Sequence, residues 1–237
     1  MQSFAEWFDG TMDLCKSAIR AALEHGSLIF KVFSDFWVGA GIIISVFVVL
    51  LAINIARGGK QFSAAAKNPR CLTICAVLIA ANAVLGYFTI TFTSYLRIGF
   101  GFITTPIAAF MFGPLVGGAV AVLSDIVSFA LMPTGGFLFT YTLCTGIAGM
   151  LYGMVLYGKK LSPTRVFLCK LLVIFAVNII LNSIALSPTA GSGMIGILPS
   201  RIIKNLLLWP IQGIVVYEVL KLAVKGRIGY AQNINKP

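Results

Sequence analysis

Long apolar runs separated by short polar gaps set the pattern of this chain. Trp37 to Ala56 runs for about 20 residues without a charge, enough to cross ~30 Å of hydrocarbon as a helix. Six further runs predict spans at about 71–92, 101–113, 115–132, 139–158, 166–187 and 199–222. The 101–113 run is short for a span, so it is expected to tilt or to have its end covered by neighbouring loops. The fold class that follows is all-α, a polytopic membrane helix bundle.

Ahead of the first span, residues 4–24 carry a different period. Glu6, Asp9, Asp13, Lys16, Arg20 and Glu24 recur every three or four positions, and Phe4, Phe8, Met12, Cys15, Ile19 and Leu23 do so on the opposite side. This predicts an amphipathic helix, and the pattern fits one lying in the membrane interface and one packed on other protein equally well. It does not read as a signal peptide, because its amino end is acidic and the apolar run comes too late.

Composition agrees with a bilayer as solvent. The chain is 59% hydrophobic and 11% charged, where soluble domains carry roughly 25% charged residues, and its mean hydropathy is +0.96. The net charge of +11 does not point to nucleic acid, since the cations sit in short gaps between apolar runs rather than on a polar surface. Arg57, Lys60, Lys67 and Arg70 follow the first span, which is preceded by five acids and three bases. Positive-inside places that linker in the cytoplasm and the amino terminus outside. Counting spans onward, the loop with Lys159, Lys160 and Arg165 and the tail with Lys221, Lys225 and Arg227 also fall in the cytoplasm. The two agree with the first assignment.

Three cations break that rule. Arg97, Arg201 and Lys204 come out on the outer side, and the only acid between Asp35 and Glu218 is Asp125, about two turns (~11 Å) below the outer end of its span. An ionisable group at that depth needs a partner or a cavity. Two readings stay open on charge alone. Arg201 and Lys204 snorkel to headgroups while Asp125 pairs with one of them, or the excess of outer cations holds an anion, helped by a helix amino terminus. The outer loops favour the second. "RIGFGF" (97–102) and "PTGGF" (133–137) combine glycines, Gly135 and Gly136 among them, with Phe100, Phe102 and Phe137, and Tyr141 follows closely. Glycine permits close backbone approach and the rings offer flat faces. "LSPTAGSGMIG" (186–196) reads as a third, flexible outer loop. A covered outer pocket for a ligand both aromatic and anionic follows.

Other chemistry is sparse. Five cysteines and a single His25 form no metal-ligand spacing and no disulfide framework. No Gly-rich loop ending in Lys-Ser/Thr occurs, so nucleotide hydrolysis would belong to partners. "CAVLIAANAVLG" (75–86) sets Ala76 and Ala80 four apart, with Ala83 near the same side, a surface that lets another helix approach closely in lipid.

The long run from Arg97 to Phe137, then "GIAGMLYGMVLY", "LNSIAL" and "LPSRIIKNLLLWPIQ", resemble the substrate-binding S-components of energy-coupling factor (ECF) vitamin transporters, of the folate type. The resemblance covers roughly residues 69–225. It implies a six-helix binding domain over 67–237, preceded by residues 1–66 with the amphipathic helix, one extra transmembrane helix and a cytoplasmic linker that have no counterpart in the family pattern. It implies a plasma-membrane protein that binds folate or a related anionic vitamin without cofactor or metal, and that is not an enzyme. Its partners would be an ECF transmembrane coupling subunit and two cytoplasmic ATPase subunits. Carried over by position, Ala76 and Ala80 become the docking pair. Arg97, Phe100, Asp125, Gly135, Gly136, Phe137, Tyr141, Asn182, Arg201 and Lys204 become the binding set. In this set the cations take the glutamate carboxylates and Asp125 accepts from the pterin 2-amino and ring N–H. Pantothenate is the alternative vitamin. A membrane-embedded enzyme acting on an anionic lipid is the other alternative.

Overall fold

The computed structural model describes residues 37–59, 62–88, 90–93, 96–98, 100–132, 138–186 and 193–225. The amphipathic helix expected at 4–24 lies outside them. Among the described residues six helices are long and apolar enough to cross a membrane, and Gly101–Phe112 adds a shorter apolar one. They are α1 (Trp37–Gly59), α2 (Pro69–Tyr87), α3 (Thr104–Phe112, entered through a 3-10 turn, Gly101–Ile103), α4 (Pro114–Leu131), α5 (Phe139–Leu156), α6 (from Pro163) and α7 (Gly193–Lys225). The all-α bundle is as the apolar pattern predicts.

Local sequence sets the helix ends. Three helices begin with proline (Pro69, Pro114, Pro163), where a missing N–H costs nothing and φ is already helical. The Asn68 side chain accepts the Arg70 backbone N–H at 3.1 Å, capping α2. Between α3 and α4 the chain reverses at Gly113, whose φ of 92° a side chain would resist, and its N–H closes α3 on Ala109 O.

α5 is the centre of the bundle, touching α3, α4 and α6. Its contact with α4 depends on glycine. A Cβ at Gly149 would fall on the Gly117 carbonyl, and one at Gly118 would lie 2.9 Å from Met150 Cγ. Inside lipid, where apolar burial drives little association, this close approach is the source of packing energy. α1 joins through the same helix. Ile43 is fully buried, Phe47 covers Gly146, and Asn54 Nδ2 donates to Leu50 O at 2.7 Å and lies 3.7 Å from Met154 Sδ.

Four local features differ from the expectation. The α2 span ends at Tyr87 rather than near 92, because the β-branched stretch Ile90–Thr93 pairs antiparallel with Leu96–Ile98, setting Thr91 opposite Arg97. The short α3 is covered by neighbouring helices. Its residues Ala108 to Phe112 are buried among α2, α4, α5 and α7, so it needs no bilayer-length face. α6 is not uniform: an α-helix over Pro163–Val173 widens to π-helix over Ile174–Leu181 and returns to α over Asn182–Leu186. Residues 193–196, expected in a flexible loop, are the start of α7.

Candidate functional site

A cavity of about 340 Å³ opens between α2, α3, α4, α5 and α6, a volume in the range of small-molecule sites. Asn82 and Gly86 of α2 line it with Gly101, Phe102 and Thr105, which lead into and begin α3. α4 contributes Ala121, Asp125 and Ser128, α5 contributes Thr145, Ala148 and Tyr152, and α6 contributes Lys170, Val173, Val177, Asn178 and Asn182.

Helical rise gives the depths. Asp125 stands six residues before Leu131, about 9 Å from the carboxyl end of α4, and Tyr152 stands thirteen after Phe139, about 20 Å along α5. The carboxylate is held in place: Thr142, fully buried on α5, donates to Asp125 Oδ2 at 2.7 Å. Opposite it, Thr104 Oγ1 lies 3.1 Å from Asn82 Oδ1, and a Cβ at Gly101 would come within 2.7 Å of the same oxygen. That bond occupies the Asn82 carbonyl oxygen and leaves its N–H donors for the cavity. Asn178, in the π-helical stretch, and Asn182 are four apart and line the wall together, and Asn178 Nδ2 reaches Asn205 Oδ1 of α7 at 3.4 Å. π-Helical turns recur at functional sites, where the extra residue re-aims side chains.

Three polar groups on this wall lack the partners that burial demands. Among the described residues, Tyr152 Oη and Asn182 Oδ1 have no hydrogen-bond partner. Lys170 is 3% exposed, and its Nζ sits 4.9 Å from the Phe102 ring centroid without an ion pair among those residues. The cavity therefore offers one carboxylate, one ammonium, several amides and an aromatic face. It has the inventory of a binding site. Among the described residues no three His, Cys, Asp or Glu side chains gather as metal ligands.

Of the residues expected at the site, Asp125 and Asn182 line the cavity, and Phe102, singled out for its flat face, does too. Phe100, Tyr141 and Lys204 do not line it. Arg97 is placed by its backbone in the hairpin of Ile90–Thr93 and Leu96–Ile98, and Arg201 by its backbone on α7. Gly135, Gly136 and Phe137 lie outside the described residues. Lys170 was not foreseen, although a lysine five residues into an apolar run is the signal that should mark it. On α2, Ala76 and Ala80 are exposed along a face with Leu72, Val77 and Val84, whereas Ala83 turns into the core.

Residues 70–220 match the family model for the substrate-specific component of ECF transporters. This chain belongs to that family. The S-component match begins at α2, and α1 lies before it. S-components are transport subunits rather than enzymes, and this one is a multi-pass membrane protein. Two similar proteins are folate transporters named FolT. That of Clostridium novyi (strain NT) is 31% identical over 156 residues, spanning 66% of this chain and 91% of its own length. That of Leuconostoc mesenteroides subsp. mesenteroides is 29% identical over 159 residues, spanning 65% and 85%. A crystal structure of FolT bound with folic acid superposes with a TM-score of 0.60 at 32% identity, covering 65% of this chain and 94% of that one.

Proposed function

We propose that this S-component binds folate at the outer side of the plasma membrane and delivers it for import, with ATP hydrolysed by partner subunits. The observation that carries the reading is the cavity lined by Asp125 and Lys170 together with an aromatic face. A pterin ring presents paired N–H donors on one edge and acceptors on another, which suits such a wall. The similar proteins named folate transporters, and the similar structure holding folic acid, support folate over pantothenate, which has no ring for the aromatic face. In this reading Asp125 accepts from the ring, Asn182 lines its path, and Arg97, Arg201 and Lys204 at the outer end hold the glutamate carboxylates. Phe100, Gly135, Gly136, Phe137 and Tyr141 belong to the cover over the mouth.

Ala76 and Ala80 form the docking face for the transmembrane coupling subunit, which works with two cytoplasmic ATPases. Their exposure on α2 supports this, since small side chains there let a partner backbone come close. Residues 67–237 are the binding domain, and residues 1–66 are an accessory segment. The amino terminus lies outside and the carboxyl terminus in the cytoplasm. Basic residues at one end of the bundle, including Arg57, Lys67, Lys159, Arg165 and Lys225, support that orientation. The test is calorimetric titration of the purified chain with folate in the absence of nucleotide. Saturable one-to-one binding is expected. No binding of folate, or equal binding of pantothenate, would refute the reading.

A further inference from the structure

α1 lies before the stretch that matches the family, residues 70–220, yet it is built into the bundle, with Ile43 fully buried. It runs beside α5 in the same direction. A Cβ at Gly146 would lie 3.0 Å from Phe47 Cε2, and Asn54 Nδ2 lies 3.7 Å from Met154 Sδ. Carrying that pairing about one turn further sets Arg57 level with Tyr157, the residue that caps α5. The chain then turns at Gly158, whose φ is 68°, into Lys159 and Lys160. Arg165, early in α6, donates from Nη1 to Lys160 O at 2.9 Å and ties this loop to α6. Arg57, Lys159 and Lys160 are all exposed. Two separate segments thus bring three cations to one corner of the bundle.

No carboxylate among the described residues answers these charges. Those residues hold two acids: Asp125 accepts from Thr142 in the cavity, and Glu218 is paired with Lys221 at 3.3 Å. Like charges gathered without a counter-charge repel one another, so the corner suits an anion. Its surroundings say of which kind. Ile53 and Ile55, near the end of α1, are exposed, and so is Leu168, three residues after Arg165. Cations at the end of exposed apolar helices match a phosphate headgroup whose chains run back along those helices. A soluble anion would leave the apolar part uncovered. A protein partner common to the family would have no reason to read Arg57, which stands outside the shared region.

We propose that an anionic phospholipid binds at this corner, its phosphate held by Arg57, Lys159 and Lys160, and so joins α1 to the loop between α5 and α6. In the orientation proposed above, the lipid belongs to the cytoplasmic leaflet. The test is a titration of the full-length protein in neutral detergent with phosphatidylglycerol, phosphatidylcholine and glycerol phosphate. Thermal midpoint and native mass spectrometry of retained lipid are the readouts. Phosphatidylglycerol is expected to raise the midpoint and to be retained one per chain, and the other two ligands to do neither. Arg57→Gln/Lys159→Gln is expected to weaken phosphatidylglycerol roughly 25-fold, from about fivefold for each cation beside an anionic headgroup. Lys221→Gln/Lys225→Gln removes the same charge from the same end of the bundle, on α7, and is expected to cost less than about threefold, because exposed charges farther off are screened. Equal losses in the two double variants would mean a diffuse basic belt and overturn the proposal. Equal stabilisation by phosphatidylcholine or by glycerol phosphate would do the same, since the site would then read chains alone or any soluble anion. Unchanged lipid affinity in Arg57→Gln/Lys159→Gln also overturns it, and lost uptake in cells alongside would give these cations to a protein partner. If that variant is not produced, the comparison of the three ligands on the wild type decides alone.

Discussion

Replacing Asp125 by Asn changes one oxygen for an NH₂ group in a side chain of the same shape, so it isolates charge and hydrogen bonding from volume. The Thr142 hydroxyl, 2.7 Å from Oδ2, can still donate to the remaining amide oxygen. That oxygen is then shared between Thr142 and the ring, and the NH₂ faces a ring N–H, donor against donor. One charge-assisted bond is lost, about 1.5–3 kcal/mol, and a buried donor is left unsatisfied, about 1–3 kcal/mol. The sum, roughly 2.5–6 kcal/mol, corresponds to a loss in folate affinity of about a hundredfold or more. Calorimetric titration in detergent measures it. A pterin analogue lacking the 2-amino group provides the control, because it has already lost one of the two donors and should suffer less from the substitution. The thermal midpoint without ligand should move little, since the exchange is isosteric. An affinity within threefold of the wild type would show that Asp125 faces no ligand donor, and the assignment of the ring edge would be wrong.

Three other outcomes follow from the same geometry. Ala76→Trp or Ala80→Trp should abolish folate uptake in cells with the coupling module while leaving folate affinity of the purified chain unchanged; normal uptake would move the docking face elsewhere. Arg201→Ala or Lys204→Ala should weaken folate about tenfold and leave pteroate nearly unaffected, whereas unchanged folate affinity with reduced yield would identify snorkelling cations. Gly149→Leu should force α4 from α5, costing about 1–3 kcal/mol or more of overpacking and lowering both thermal midpoint and ligand affinity. An unchanged midpoint would mean that the two helices can separate freely, contrary to the contact of Gly149 with the Gly117 carbonyl.

The bundle itself was legible in the sequence. Seven apolar runs need no tertiary information to be recognised, because in lipid each helix satisfies its own backbone hydrogen bonds and its length is set by the membrane. Asp125 was legible for the related reason that a charge in an apolar run is costly wherever it ends up. Lys170 met the same criterion and was passed over, since a lysine near a helix end ordinarily snorkels, and nothing in "FLCKLLV" says which way the side chain turns. Only the packing decided that. The Gly117–Gly149 contact brings α4 against α5 closely enough for Thr142 to hold Asp125. The packing of α6 against α5 and α7 turns the Asn178 and Asn182 face to the cavity, and the burial of α3 carries Phe102 over the Lys170 ammonium. Each of these places depends on contacts between residues tens of positions apart, and hydrophobic periodicity reports which face of a helix avoids water, not which neighbour it meets. In a membrane that limit is sharper still, because lipid and protein interior are equally apolar and the pattern does not separate them.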